Sequence, residues 1–191
     1  MRRTTPSRKE VSHERILEAA ARAIRRSGYD GAAIAGIMKE AGLTHGGFYA
    51  HFDSREAMLA EAADRAGAES VAALEQRAAS AGPKEAFRTL VKTYVSRTHL
   101  ESAETGCPIA ALGSEIPRQA PEVRHAATRR IKQLIDLVGR HSPILGQPGC
   151  REHAFATTAT MVGALVLARA VDDPSLSQSM LDAAFKGLTG G

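Results

Sequence analysis

Hydrogen-bonding side chains and glycines are concentrated in one segment of the chain, between residues 44 and 55. They are Thr44, His45, Gly46, Gly47, Tyr49, His51 and Arg55. Phe48 and Phe52 lie among them four residues apart, a spacing that places both on one helix face and anchors it to a core. The other side chains are then turned outward. Hydroxyl, imidazole and guanidinium groups donate to phosphate oxygens or base edges, so the segment predicts a surface for nucleic acid.

The residue types indicate different tasks on this surface. His45 is the best candidate to reach a base edge in the major groove, whereas Tyr49, His51 and Arg55 can donate to phosphates. The position of Tyr49 beside core aromatics favours an outward contact over internal packing. His51 could equally cap the end of its helix, and both interpretations stay open.

Two short helices joined by a tight turn are needed to position these groups. The sequence predicts one helix over about 33–40 and a second over 45–51, with a glycine-containing turn between them, which is a helix-turn-helix. Thr44 is expected to cap the second helix, with its hydroxyl towards the Gly47 amide. Gly46 and Gly47 remove side-chain bulk where a backbone must approach DNA closely.

The excess of positive over negative charge is confined to the same end of the chain. Residues 1–52 contain nine Lys and Arg against five Asp and Glu, while residues 53–191 contain sixteen of each. Arg22, Arg25 and Arg26 are expected on the surface of the first helix, away from its buried stripe. A basic head on a neutral body indicates a polyanionic partner at one end, although a solvated basic tail would give the same balance.

The motifs within residues 10–60 have the spacing of a known family. They are Ile16-Leu17-Glu18-Ala19-Ala20, Gly28-Tyr29, Ile37, Ala41-Gly42-Leu43-Thr44, Phe48-Tyr49-Ala50-His51-Phe52 and Ser54-Arg55-Glu56. In residue type and spacing they resemble the tetracycline-repressor (TetR) family of bacterial one-component regulators. The resemblance implies phosphate contacts for Thr44, Tyr49, His51 and Arg55, and base-facing positions for His45 and Gly47. It also implies about nine helices, a homodimer built on the last two, and a ligand cavity in the body.

Two departures from the family pattern affect the head. Ala32 and Ala33 stand where family members usually carry Thr before the second helix, which removes one hydroxyl contact to phosphate. Gly36 lies inside the second helix and is expected to cost about 1 kcal/mol relative to alanine. With glycines at 46 and 47 as well, few side chains can read bases, and indirect readout of DNA shape gains importance.

Alanine-rich stretches with apolar residues at helical spacing, broken by Gly and Pro, predict an all-α fold of about nine helices. We expect a DNA-binding head over 8–53 and an effector-binding and dimerisation body over 54–191. Either Ser7 with Glu10 or Ser12 caps the first helix, and Gly28 ends it. The later helices are expected over about 54–79, 83–100, a short stretch after 108, 121–141, 150–171, and from the capping residue Ser175 onward.

A dimer interface is predicted from the eighth helix. Residues 154–168 contain no charged side chain, and a helix that is apolar all round must be buried all round. A partner subunit is the natural cover for a helix near the C-terminus, although a central core helix in a monomer would read the same way. The predicted interface residues are Ala159, Gly163, Leu167, Leu181 and Phe185.

The ligand pocket is less clearly marked, and the resemblance rather than the pattern implies that it exists. Candidate lining residues lie on the fifth, sixth and seventh predicted helices. They are Phe87, Leu90, Tyr94, Cys107, Leu112, Leu134, Ile135 and Val138. This lining predicts a small hydrophobic effector, with aromatic compounds as one class.

Cysteine chemistry offers an alternative signal. Cys107 lies at a Gly-Cys-Pro break where an electrophile or oxidant could reach it, but a small buried apolar residue would look the same. Cys150 and His153 are three residues apart, a weak spacing for a metal, and no metal site or cofactor is expected.

The function that follows is a DNA-binding transcriptional regulator, a repressor released from a palindromic operator by a small molecule. Thiol sensing through Cys107 and effector-independent DNA binding are the alternatives. No activated nucleophile or carboxylate pair is present, so an enzyme is not expected. The polar start of the chain, the lack of a membrane-spanning apolar run and the two unpaired cysteines predict a cytoplasmic protein with no membrane partner.

Overall fold

The computed structural model describes residues 6–190, and within this range the chain forms nine α-helices, two short 3-10 helices and no strand. The all-α prediction is confirmed. The elements are α1 (Arg8–Gly31), α2 (Ile34–Glu40), η1 (His45–Ala50), α3 (Arg55–Ser80), α4 (Ala86–Tyr94), α5 (Arg97–Glu101), α6 (Pro108–Leu112), η2 (Ile116–Arg118), α7 (Pro121–Arg140), α8 (Cys150–Ala170) and α9 (Pro174–Thr189). Residues 1–5 of the predicted basic start, and Gly191 at the end of the predicted body, lie outside the described residues.

Helix α1 begins and breaks where polar and glycine residues require it. Ser7 and Glu10 form the reciprocal capping box, with the Ser7 amide 2.6 Å from the Glu10 carboxylate and the Glu10 amide 3.2 Å from the Ser7 hydroxyl. The predicted stop at Gly28 is confirmed as a break, because this residue has φ of 75° inside the helix. A Cβ there would lie 2.6 Å from Oε1 of Glu115, whose Oε2 accepts the Tyr29 amide at 2.8 Å.

Three predicted helix boundaries are wrong. The single helix expected over 83–100 begins only at Ala86 and is split into α4 and α5, because Ser96 starts a new helix by accepting the His99 amide at 3.1 Å. The last helix is capped by Asp173 rather than Ser175, since the Asp173 carboxylate accepts two free amides at the helix start.

Two clusters of buried side chains hold the fold together, and α3 passes through both. Met58 and Leu59 on its first half join the head cluster, while Leu74 and Ala78 on its second half join the body cluster. The head cluster also includes three residues from α6 and α7. They are Leu112, Val123 and Ala126. Head and body are therefore packed continuously rather than joined by a linker.

None of the helices within residues 6–190 is long and apolar enough to cross a membrane.

Candidate DNA-binding surface and ligand groove

Two phenylalanines hold η1 against the head core. Phe48 and Phe52 are 0% and 3% exposed, and their ring centroids lie 5.5 Å apart. Tyr49 between them is 73% exposed, with its ring edge-on to Phe48 at 5.1 Å. The predictions that the phenylalanines are core residues and that Tyr49 points outward are both confirmed.

The outer face of η1 is open around its first glycine. Thr44, His45 and Gly46 are exposed, and Gly47 is half-buried. A Cβ built on Gly46 would meet no atom within 4 Å, and neither glycine has a positive φ. Nothing within the described chain therefore requires glycine at position 46, and the close approach of DNA to this backbone stays a prediction.

The predicted cap of this helix is wrong. Thr44 makes no side-chain capping bond, because η1 is a tight 3-10 helix in which the Gly47 amide donates to the Thr44 carbonyl oxygen at 3.0 Å. The Thr44 side chain is exposed, so its hydroxyl faces solvent and can serve an external acceptor or donor.

His51 and Arg55 lie behind the exposed face and are engaged within the chain. Arg55 donates to the Tyr29 carbonyl oxygen. The His51 ring lies 6.0 Å from that of His13, and its Nδ1 is buried without a hydrogen-bond partner. Burial, followed by the nearby His13 and Lys9, lowers the pKa of His51. The neutral ring is therefore the favoured state, and phosphate contacts by these two residues stay predictions.

The arginines of α1 are largely paired inside the chain. Arg22 contacts Glu18 at 2.7 Å and Glu40 at 2.9 Å, and Arg26 contacts Glu40 at 3.4 Å and Glu104 at 3.3 Å. Within the described part of the head, the cations without an ion pair are Arg8, Lys9, Arg15 and Lys39. The charge available to a polyanion is thus smaller than the sequence balance suggests.

Arg25 is buried, and the expectation that it lies on the helix surface is wrong. Its side chain is 2% exposed and donates to the Ala21 carbonyl at 2.9 Å, to the Gly106 carbonyl at 3.4 Å and to Glu69 at 3.2 Å. Burial lowers the pKa of Arg25, and the neighbouring Glu69 opposes that shift. One guanidinium therefore connects α1 to α3 and to the turn that follows α5.

A groove of about 650 Å³ opens beside that turn, between α3, α4 and α5. Its wall includes Ser70, Arg77, Thr89, Lys92, His99 and Gly106. The volume falls within the range of small-molecule sites. Since Gly106 also accepts from Arg25, the wall of the groove is in direct contact with α1 of the head.

The predicted pocket residues do not line this groove. Most of them are buried in the two clusters, packed against neighbouring helices. Leu90, Tyr94, Cys107, Leu112, Leu134 and Val138 are each 3% exposed or less. Phe87 is 9% exposed and packs in the body cluster, against which Ile135 is partly buried. Leu112 belongs to the head cluster. Their contact with an effector therefore stays a prediction, because apolar periodicity identifies packed faces and not empty space.

His99 holds the groove wall in place. Its Nδ1 lies 2.7 Å from the Tyr94 carbonyl oxygen, and its Nε2 accepts the Cys107 amide at 2.9 Å. Arg169 donates to the His99 carbonyl oxygen at 2.7 Å. These contacts fix the neutral ring with its proton on Nδ1, and burial lowers the pKa of His99 despite the contact with Tyr94.

Neither cysteine is positioned as the sequence alternatives of an accessible thiol or a metal ligand would require. Cys107 is 3% exposed, which confirms the small buried residue over the accessible thiol. Cys150 has Gly139 as its contact, whereas His153 faces the Ser142 hydroxyl at 3.1 Å. Across residues 6–190, no three His, Cys, Asp or Glu side chains are grouped closely enough to hold a metal ion.

The C-terminal helices present an uncovered apolar face. On α8, Phe155 is 43% exposed and Leu167 is 55% exposed, and on α9 Leu176 is 44% exposed. The predicted interface residues Ala159, Gly163 and Leu167 lie on this side: the first and last are exposed and Gly163 is half-buried.

Two predicted interface residues on α9 pack against the single chain. Leu181 is 0% exposed, so it has no surface to lose to a partner. It was assigned from apolar character, which does not distinguish the inward face of α9 from the outward one. Phe185 is half-buried against the body cluster, where the Arg88 guanidinium lies 4.8 Å from its ring centroid. Part of its surface stays uncovered, and its place in the interface stays a prediction.

Comparisons with known proteins agree with this geometry. The family model described as bacterial regulatory proteins, tetR family, matches residues 16–62. An HTH-type transcriptional regulator of Mycobacterium tuberculosis is 33% identical over 165 residues, covering 82% of this chain and 83% of that protein. The crystal structure of the reduced form of E. coli NemR has a TM-score of 0.79 at 18% identity, covering 94% of this chain and 95% of that one. A TetR-family regulator from Cytophaga hutchinsonii has a TM-score of 0.78 at 18% identity, covering 98% of each chain.

Proposed function

Since the chain belongs to the tetR family of bacterial regulatory proteins, we propose that it is a homodimeric repressor released from its operator by a small molecule. The chain is a DNA-binding transcriptional regulator. The observation that carries the proposal is the outer face of η1, where exposed polar residues and an open glycine are held rigidly on two buried phenylalanines. The head over residues 8–53 meets DNA, and the body from residue 54 onward dimerises and takes the effector.

Five residues in and just before η1 have tasks in this proposal. His45 reaches base edges, while Tyr49 and Thr44 donate to phosphates. Gly46 and Gly47 let the backbone come close to the duplex. Few base-reading side chains are present, so the shape of the DNA contributes to operator choice.

Dimerisation through α8 and α9 supports the DNA-binding role. The exposed apolar face containing Phe155, Leu167 and Leu176 is the kind of surface that a second subunit covers. Two heads related by a two-fold axis match two half-sites about 34–36 Å apart, one turn of B-DNA.

Effector control is supported by the groove and its connection to the head. A ligand that occupies the groove displaces the wall at Gly106, to which Arg25 of the head is bonded. The ligand needs only to bind the DNA-free state better, and a tenfold to hundredfold preference, about 1–3 kcal/mol, is sufficient.

Selection from randomised DNA tests the proposal. Purified wild-type protein is expected to enrich a palindrome, with an affinity that falls steeply as salt increases. Tyr49→Ala should weaken binding to all sequences, whereas His45→Ala should relax base preference at one position of each half-site. Failure of the wild type to enrich any palindrome would overturn the proposed operator, and an operator complex insensitive to every metabolite pool tested would favour an effector-independent DNA binder.

A further inference from the structure

The groove between α3, α4 and α5 carries positive charge and no negative charge. Arg77 on α3 and Lys92 on α4 both line it, and no Asp or Glu does. Neither cation has an acidic partner among the described residues. A concave surface with one sign of charge concentrates ligands of the opposite sign.

The acidic residues next to the groove are neutralised by other arginines. Four of them adjoin lining residues in the sequence, and each is in an ion pair with an arginine other than Arg77. The pairs are Glu69 with Arg25 and Arg65, Glu75 with Arg140, Glu101 with Arg97, and Glu104 with Arg26. The positive charge of the groove is therefore not cancelled from its rim.

Hydroxyl groups supply the rest of the polar wall. The side chains of Ser70, Thr89, Thr93 and Thr98 line the groove, and none has a hydrogen-bond partner in the described chain. Leu74 adds an apolar patch to the same wall. This combination suits a ligand with a carbon skeleton that also carries oxygen acceptors.

We propose that this groove is the effector site and that it selects an organic anion, whose acidic group is held by Arg77 and Lys92 and whose skeleton lies along Leu74 and the hydroxyls. The inference rests on the proposed ligand-responsive function and replaces the hydrophobic effector expected from the sequence. Carboxylates, sulfonates and phosphates share the required chemistry.

A pair of fluorescent probes that differ only in charge tests the proposal. Anilinonaphthalene sulfonate is an anion, and N-phenyl-1-naphthylamine is the same skeleton without the sulfonate. In the dimeric full chain, Arg77→Gln with Lys92→Gln should weaken binding of the sulfonate at least about tenfold, because charged hydrogen bonds are lost. Binding of the neutral probe should change less than about twofold.

A matched double variant controls for net charge. Arg124→Gln with Lys132→Gln removes two exposed, unpaired cations from α7 and should leave the affinity for the sulfonate unchanged. Equal losses in both double variants, or equal losses for both probes, would overturn the anion site.

An introduced tryptophan reports where the probe binds, because the wild-type chain contains no tryptophan that would add to the signal. Ala73→Trp puts an indole on the groove wall without removing a proposed contact, and its emission should be quenched by the bound sulfonate more strongly than that of Val11→Trp on the head. Stronger quenching on the head would place the probe elsewhere and reject the groove.

Operator binding, measured on the same preparations, keeps the two hypotheses apart. If the wild type selects an operator but the charge variants bind the sulfonate normally, only the anion site fails. If no operator is selected while the groove discriminates between the probes, only the proposed repressor function fails.

Discussion

At the scale of single residues, a substitution of Gly46 can distinguish a requirement of the fold from a requirement of DNA binding. A methyl group at this position meets no atom of the chain, so Gly46→Ala should leave the free energy of unfolding unchanged or raise it by up to about 1 kcal/mol. If DNA approaches this backbone closely, the same methyl group should weaken operator binding roughly tenfold, about 1.4 kcal/mol. Urea denaturation and a DNA titration measure the two effects.

Gly36→Ala on α2 is the matched control for the stability effect, since a Cβ there also meets nothing within 4 Å. A Gly46→Ala protein with normal stability and full operator affinity would show that the duplex does not come near η1 at this point.

Predictions made from the sequence alone also placed some side chains wrongly. Arg25 was expected on the surface because it lies off the apolar stripe of α1, yet it lies inside with Glu69 and the Gly106 carbonyl as partners. Those partners are 44 and 81 residues away in the chain, so no local sequence pattern predicts the contacts. Phe48 and Phe52 were placed correctly because their spacing of four residues is a local signal.

At the scale of elements, α5 depends on the protonation state of His99. Its Nε2 accepts the Cys107 amide, so protonation would set two N–H groups against each other. Because the pKa of His99 is lowered in the folded chain, the unfolded chain takes up a proton first as the pH falls below the ordinary value of 6.5. The stability present above that pH is therefore lost on acidification.

Denaturation from about pH 8 to about pH 5.5 checks this expectation. Wild-type stability should fall more than that of His99→Gln, which cannot gain the charge. His125→Gln on the exposed face of α7 should follow the wild type. A His99→Gln protein with an unaltered pH dependence would assign the acid sensitivity to other groups, among them His51, whose pKa is also lowered.

Helix boundaries were predictable where one residue decides them, and the groove was not predictable at all. Gly28 and the Ser7–Glu10 capping box mark α1 because positive φ and a reciprocal cap are local properties. Ser96 could have revealed the break between α4 and α5, since serine is a preferred N-cap. Arg77 and Lys92 gave no signal, because the groove exists only after three helices have packed.

At the scale of the whole molecule, the proposed dimer depends on the uncovered face of α8 and α9. Leu167 is 55% exposed, so Leu167→Glu should not disturb the single subunit. In a dimer the same charge would be buried without a partner, which should raise the dissociation constant at least about a hundredfold, about 2.7 kcal/mol. Sedimentation velocity should show a monomer, and operator affinity should fall with it.

Leu145→Glu is the control for this experiment, because Leu145 is 62% exposed in the loop before α8 and lies outside the face. A wild-type protein that sediments as a monomer at micromolar concentration, or a Leu167→Glu dimer, would contradict the proposed interface.

The head cluster that extends into α6 and α7 restricts how this regulator can be recombined with others. A head cut after residue 53 would leave behind Met58, Leu112, Val123 and Ala126, which complete its hydrophobic core. A hybrid that joins this head to a foreign body at that point would inherit a core with one wall shaped for another protein. If the outer face of η1 contacts DNA as proposed, new DNA specificity is more readily obtained by point changes on that face, which leave the core intact, than by exchanging whole heads.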